Sequence, residues 1–158
     1  MQPDIHKIQK RAELIGHICF QYSFLDYLVS NVIWHILKLD VEAGKIVTGS
    51  LDIRPKLDMA VTLASHYGVL DEISAHIKTM KNRIEGKNGA INKRNRLIHG
   101  VFASAPGDPV VVVESHRNKR HRQRIALAID EIQSTLNEIT QEATDLSELM
   151  EKHGINVH

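Results

Sequence analysis

Cysteine is nearly absent from this sequence. Cys19 stands alone, so the chain cannot form an internal disulfide or an all-cysteine metal cage. Aromatic residues are also scarce: there are seven in 158 positions, and five of them fall between Phe20 and Trp34. A core built from sheets normally spreads aromatic and β-branched residues along many strands. The composition therefore favours helices.

Long apolar runs are lacking as well. The most apolar stretch, residues 24–39, is interrupted by Asp26, Ser30, Asn31, His35 and Lys38, whereas a membrane span needs about 20 consecutive apolar residues. The first residues, Met-Gln-Pro-Asp-Ile-His-Lys, do not show the basic and then apolar pattern of an export signal. We therefore expect a cytoplasmic protein that does not enter a membrane.

The residues that are present indicate one folded domain. The length of 158 residues and the hydrophobic share of 42% are ordinary for a single globular domain. Apolar residues recur every three to four positions, which is the helical period. The predicted main helices span residues 5–36, 55–68, 71–100 and 129–154. Residues 44–54 are predicted as a loop, Pro55 suits a first helical turn, and Gly86 and Gly89 weaken the third helix.

The first predicted helix carries two apolar stripes. The stripe assigned to the inner face consists of Ile5, Ile8, Ala12, Ile15, Cys19, Tyr22, Val29, Ile33 and Ile36. A second stripe beside it consists of Leu14, Ile18, Leu25, Leu28 and Val32. A helix that is apolar on so much of its surface is usually covered on two sides. The domain's own core is one expected cover, and a second copy of the chain is a candidate for the other.

These segments predict an all-α fold: one domain over residues 1–158, an antiparallel, up-and-down bundle of four to five helices. A short β-hairpin is expected as an insertion at about residues 101–115. Its two apolar halves, 101–104 and 110–115, flank a Pro-Gly-Asp-Pro turn.

The formal net charge of +1 conceals a polarised chain. Residues 81–124 contain eleven Lys and Arg against three acids, a net charge of +8, and the remainder holds nine bases and sixteen acids, a net charge of −7. The densest basic run is residues 116–124. Such a run can contact the phosphates of a nucleic acid, or it can be a solvated loop, and the sequence leaves both readings open. The candidate phosphate-binding residues are Lys93, Arg96, Arg117, Lys119, Arg120, Arg122 and Arg124.

No metal or cofactor site is expected. His116 and His121 are flanked by Arg and Lys, whose charges oppose a cation. The sequence contains no P-loop and no dinucleotide-binding glycine motif.

The motif that carries chemistry is Arg94-Asn95-x3-His99-Gly100. An Arg followed by a polar residue and, a few positions on, by a His near the end of a late helix resembles the signature of the HEPN superfamily. The bare spacing also occurs from Arg11 to His17, but only the second match has Asn directly after Arg. The resemblance covers about nine residues, with general agreement in fold class elsewhere.

The resemblance implies a helical domain that forms a homodimer and sets the Arg and His of each copy around one cleft. Many HEPN proteins are metal-independent endoribonucleases, and some act as toxins beside a nucleotidyltransferase antitoxin. Others bind RNA or nucleotides without cleaving them. On this resemblance Arg94 and His99 take the signature positions, with Asn95 as the accompanying polar residue, RNA as the ligand and an antitoxin-like nucleotidyltransferase as a potential partner.

The residue types suit that chemistry. Histidine can accept or donate a proton near neutral pH, and arginine carries a permanently charged fork that matches phosphate oxygens. Asn95 and His99 share a helix face, so Asn95 can orient the imidazole or the phosphate. Arg94 lies roughly 140° around the axis from His99, so the two converge only if Arg94 bends or if two helices meet by symmetry.

Simpler interpretations remain beside these. A basic residue and a His in a last helical turn also make an ordinary helix end, favoured by the macrodipole. Asp26 is either a buried acid that pairs with Arg94 or a solvent-facing residue. The chain as a whole can instead be a non-catalytic module that binds nucleic acid or a partner through the same basic surface, or a helical interaction protein.

Overall fold

The computed structural model describes residues 5–103, 111–114, 123–126 and 128–158, with no side chains described between 101 and 127. The elements in this part of the chain are α1 (Ile5–Leu37), α2 (Val41–Thr48), α3 (Ile53–Tyr67), α4 (Asp71–Glu85), α5 (Ala90–His99), β1 (Val101–Ala103), β2 (Val111–Glu114), β3 (Gln123–Ala126) and α6 (Ile129–Lys152). The buried apolar cluster is made almost entirely of helical residues. This confirms the prediction of a helical protein.

The long helix α1 packs against α3 and α6. Its second stripe faces the core in the first turns, whereas from Leu25 onward both stripes are buried, since Val29 and Ile33 are 0% exposed. Leu14, Ile18, Leu25 and Leu28 are fully buried, whereas Ile5 is 64% exposed. The inner-face assignment was therefore wrong for the first turns of α1. Both stripes have the same period, so only the positions of the packing helices decide which one is covered.

The predicted loop at residues 44–54 contains most of a short helix, α2. Asp40 caps this helix by accepting a hydrogen bond from the Ala43 backbone N–H at 2.8 Å. Gly44 lies against the indole of Trp34, where a Cβ would come within 2.5 Å of the ring. The indole N–H of Trp34 donates to Thr48 Oγ1 at 3.0 Å. Because α2 has only eight residues and packs on a tryptophan of another helix, its apolar positions are too few to predict a helix from their period.

Glycine positions set the boundaries of the next three helices. Pro55 lies in the first turn of α3, as expected, and α3 ends at Gly68, which has the left-handed φ of 62°. The predicted third helix is two helices, α4 and α5, separated at Gly86–Gly89. A Cβ on Gly89 would come within 2.4 Å of the Ile84 carbonyl oxygen, so this close approach requires glycine. Gly100 follows the end of α5, as predicted.

The strands form one antiparallel sheet in the order β1-β2-β3. Val101 is opposite Val113 in the first pair, and Val112 is opposite Ile125 in the second. The turn expected at Pro106–Pro109 lies outside the described residues. The third strand, β3, was not predicted, because the sequence analysis assigned its first two residues to the basic run.

None of the helices that the structure describes combines the length and the apolar character that a membrane crossing requires.

Candidate functional site

A cavity of about 360 Å³ lies where α1, α5 and the start of α3 meet. Helix α5 contributes Ile91, Arg94, Asn95 and His99 to its wall. Helix α1 contributes Tyr22, Ser23 and Asp26, and the rest of the wall is residues 51–54. The structure thus brings together the three residues of the predicted motif and the supporting Asp26.

Arg94 reaches the same cavity as His99 by bending over Tyr22. The guanidinium carbon of Arg94 lies 4.6 Å from the centroid of the Tyr22 ring, a distance typical of a cation–π contact. Arg94 Nη1 also donates to Asn95 Oδ1 at 3.0 Å. Asn95 was expected to orient the imidazole or a phosphate; here its side-chain oxygen orients the guanidinium. A single chain therefore suffices to place Arg94 and the exposed His99 at one cavity.

Tyr22 is a site residue that the sequence analysis did not single out. Burial raises the pKa of its phenol, and the charges of Asp26 and Asp52 act in the same direction, against the opposing charges of Arg94 and Arg54. The phenol therefore keeps its proton at neutral pH. Tyr22 belongs to the aromatic cluster of the first helix, but no local pattern places it against α5.

Asp26 does not pair with Arg94. Its Oδ2 atom accepts a hydrogen bond from Lys56 Nζ at 2.6 Å, and the Lys56 side chain is only 6% exposed. The first turns of α3 bring Lys56 to α1, a tertiary relation with no signal in the spacing. Of the two alternatives for Asp26, the pair with Arg94 is not formed: the carboxylate is partly buried and pairs with Lys56.

Two buried polar atoms at this cavity lack a hydrogen-bond partner among the described residues: Asp26 Oδ1 and Arg94 Nε. Buried polar groups are nearly always paired with protein or with water. One of these atoms is an acceptor and the other a donor. The described part of the fold therefore leaves one buried acceptor and one buried donor unpaired beside the cavity.

Arg54 supplies a second arginine to the cavity. Its Nη2 donates to Asn92 Oδ1 at 3.2 Å, and Asn92 Nδ2 donates to the Gly86 carbonyl at 2.9 Å. The two arginines face two acids, Asp26 and Asp52. The wall is thus mixed in charge, which suits a ligand with both donors and acceptors better than a bare anion.

Three of the six lysines and arginines whose side chains are described in residues 81–124 pair with acids of other elements. Lys93, a candidate phosphate-binding residue, lies 3.3 Å from Glu138 of α6. Arg83 forms a two-pronged pair with Glu142, at 2.6 and 2.8 Å, and Lys81 pairs with Asp58. Because α4 and α5 pack against α3 and α6, three of the eleven basic charges of residues 81–124 are paired with acids of those two helices.

None of the other candidate phosphate-binding residues is placed at this cavity by the described part of the structure. Arg96 does not line the cavity. Arg124 lies in β3, opposite Val113, and its side chain is not described. Arg117, Lys119, Arg120 and Arg122 lie outside the described residues.

Within the described part of the chain, no three His, Cys, Asp or Glu side chains are grouped so that they could hold a metal ion. No protein-family model, no curated protein and no solved structure matches this chain.

Proposed function

We propose that the chain is a HEPN-like RNA-binding protein that cleaves RNA without a metal ion at the cavity between α1, α3 and α5. The observation that carries this proposal is that Arg94 and His99 line one cavity together with Asn95 and the neutral phenol of Tyr22. These side chains supply a permanent cation, a titratable imidazole and hydrogen-bond donors within a single site.

The roles follow from the chemistry of cleavage at the 2′-hydroxyl. That hydroxyl loses a proton as it attacks the phosphorus, charge develops on the phosphate oxygens, and the 5′-oxygen gains a proton as it leaves. The Arg94 guanidinium, oriented by Asn95 and supported by Tyr22, binds the phosphate oxygens and stabilises their charge. His99 is exposed at the wall and transfers a proton.

A homodimer is part of this proposal. Among the described residues that line the cavity, His99 is the single histidine, whereas cleavage needs both a base and an acid. The outer face of α1 exposes Phe20 (70%) and Phe24 (37%), which are one helical turn apart and lie beside the cavity residue Ser23. A second copy packed on this face would cover the apolar surface and bring its own His99 towards the cavity.

A non-catalytic RNA-binding module is the second candidate function. The presence of one histidine among the described residues of the cavity favours it, because a single chain then offers no second histidine, the side chain most often used for proton transfer. RNA would still meet Arg94 and Arg54, which line the cavity.

The decisive experiment incubates purified protein with single-stranded RNA in EDTA and follows the products on a denaturing gel. Cleavage is expected for the wild type and for His35→Ala, which changes an exposed histidine elsewhere on α1, and is expected to disappear in His99→Ala. Equal cleavage by His99→Ala would contradict the proposed catalytic role. RNA binding without cleavage in every variant would select the non-catalytic module.

The dimer has its own test. Light scattering at micromolar concentration should give the mass of two chains, and Phe20→Glu should shift it towards that of one chain, because it places a charge in the apolar interface. A monomeric wild type under these conditions would contradict the shared cleft.

A further inference from the structure

A buried lysine lies behind the wall of the cavity without forming part of it. Lys56 Nζ is 2.6 Å from Asp26 Oδ2, while Lys56 is absent from the residues that line the cavity. Lysine is almost never fully buried unless its charge is paired. Lys56 therefore acts on the cavity through Asp26.

Two cations lie near Asp26: Lys56 pairs with it, and Arg94 lines the same cavity. The carboxylate shares the cavity with the Arg94 guanidinium, and both charges act on the phenol of Tyr22. An Arg–carboxylate fork is among the strongest hydrogen-bonded pairs in proteins. In this structure the fork has not formed: Asp26 Oδ1 and Arg94 Nε both remain without a partner among the described residues, and Asp26 is held by Lys56 instead.

We infer that Lys56 is a positioning residue that holds Asp26 away from Arg94 and so keeps the Arg94 guanidinium available for a substrate phosphate. The inference rests on the proposed function in one respect, the role of Arg94 as the phosphate contact. Without Lys56 the Asp26 carboxylate would be a largely buried, uncompensated charge, which is costly. The cations that share its cavity are Arg94 and Arg54, and Arg54 is already tied to Asn92. Asp26 would then capture Arg94 and compete with the phosphate.

A double-mutant cycle on Asp26 and Lys56 tests this. The probe is a short, fluorescently labelled 2′-O-methyl RNA. It cannot be cleaved through its 2′-oxygen, so its binding to the wild-type protein can be measured with the active site intact. Lys56→Met keeps the length and the apolar stem of the side chain but removes its charge. It should raise the dissociation constant about tenfold, the scale of losing one charge-assisted contact.

The rescue is the distinguishing result. Asp26→Asn combined with Lys56→Met should bring the dissociation constant back to within about threefold of wild type, because the carboxylate that captures Arg94 is gone. Lys56→Met should also reduce the slope of log K against log salt by about one phosphate contact, and the double variant should restore it. A lysine that serves only to stabilise the fold would give neither rescue.

Controls keep the outcomes separate. Thermal unfolding and circular dichroism establish that each variant is folded. If Lys56→Met does not fold, Lys56→Gln takes its place. Its amide still donates to Asp26 but carries no charge, so the loss of RNA affinity should be smaller. Arg94→Met should weaken binding when it is introduced into the wild type and into the Asp26→Asn, Lys56→Met double variant, because Arg94 is available to the RNA in both.

Two results overturn the inference. If the wild type binds the RNA and Arg94→Met weakens it, but Lys56→Met binds normally or the double variant stays impaired, the inference fails and the proposed function stands. If the wild type has no affinity for RNA, or Arg94→Met binds as well as wild type, the proposed function fails and the inference fails with it.

Discussion

Arg94 rests on Tyr22: its guanidinium carbon is 4.6 Å from the centroid of the phenol ring, which joins a side chain of α5 to a side chain of α1 across the cavity. Stacking of this kind occupies the flat face of the guanidinium and leaves its edges for hydrogen bonds. One edge position, Nη1, is used by Asn95, and Nε has no partner among the described residues. The guanidinium is thus held in place with donor capacity remaining.

Replacing the Tyr22 ring should therefore weaken RNA binding. Tyr22→Leu removes the cation–π contact, which is worth about 1 kcal/mol at a half-buried site, roughly a fivefold rise in the dissociation constant. Tyr22→Phe keeps the ring and should bind within about twofold of wild type. Fluorescence anisotropy with the same RNA measures both. Equal losses in the two variants would show that the hydroxyl, and not the ring, supports Arg94.

Two glycine-to-alanine changes should act in opposite directions. Gly44→Ala places a Cβ within 2.5 Å of the buried Trp34 ring, and such overpacking should lower the free energy of unfolding by about 1–3 kcal/mol. Gly16→Ala, in α1, has open space around the new methyl group and should raise it by about 0.5–1 kcal/mol through helix propensity. Urea titration followed by circular dichroism checks both. A neutral Gly44→Ala would mean that α2 moves freely away from Trp34.

The buried hydrogen bond from Trp34 to Thr48 should contribute measurably to stability. Thr48→Val keeps the shape but leaves the indole N–H without its acceptor, at a cost of about 1–3 kcal/mol in the free energy of unfolding. Thr144→Val is the matched control, because this exposed threonine bonds only to the backbone of its own helix; its effect should stay within about 0.5 kcal/mol. Similar losses in both variants would count against the proposed role of this bond.

Stability should depend on pH through Glu72. Hydrogen bonds from Lys152 and then from His153 hold the pKa of the Glu72 carboxyl below its ordinary value of 4.5. A folded-state pKa below the unfolded one gives stability that is present above pH 4.5 and is lost as the pH falls through the folded value.

The melting temperature of Glu72→Gln, compared with that of wild type across this range, measures the effect. The wild type should melt higher above pH 4.5, and the difference should shrink as the pH falls below the folded value. Lys152→Met, which removes the larger cause, should reduce the same pH dependence. A difference that stayed constant with pH would exclude this carboxyl as the source.

Local signals explain which parts of the fold were predictable. The ends of α3 and α5 were placed correctly because Gly68 and Gly100 act on their own helix termini. The third helix was predicted as one segment weakened at Gly86 and Gly89, and the structure divides it there into α4 and α5, where the Ile84 carbonyl approaches Gly89 too closely for a side chain. The helix α2 was not predicted. It is held by the contact between Gly44 and Trp34, and Trp34 lies outside α2, so the eight residues of this helix do not show that contact in their own sequence.

The candidate site divides in the same way. The spacing of Asn95 and His99 places them on one face of α5. Arg94 joins them at the cavity because its side chain bends over Tyr22, a contact that the spacing does not predict. Tyr22 and Lys56 were not predicted as site residues. Lys93 was predicted to bind phosphate, but in the structure it pairs with Glu138. Each of these depends on which helix packs beside which.

The amino-acid sequence by itself determined that this protein is helical and where most of its helices begin and end, because period and capping act within a few residues of chain. It also singled out Arg94, Asn95 and His99 of α5, which line one cavity. The tertiary structure alone decided which stripe is buried in the first turns of α1, that Arg94 lies on Tyr22, and that Asp26 pairs with Lys56. Ion pairs and stacking depend on distances of a few ångströms between separate helices, and those distances exist only once the helices have packed.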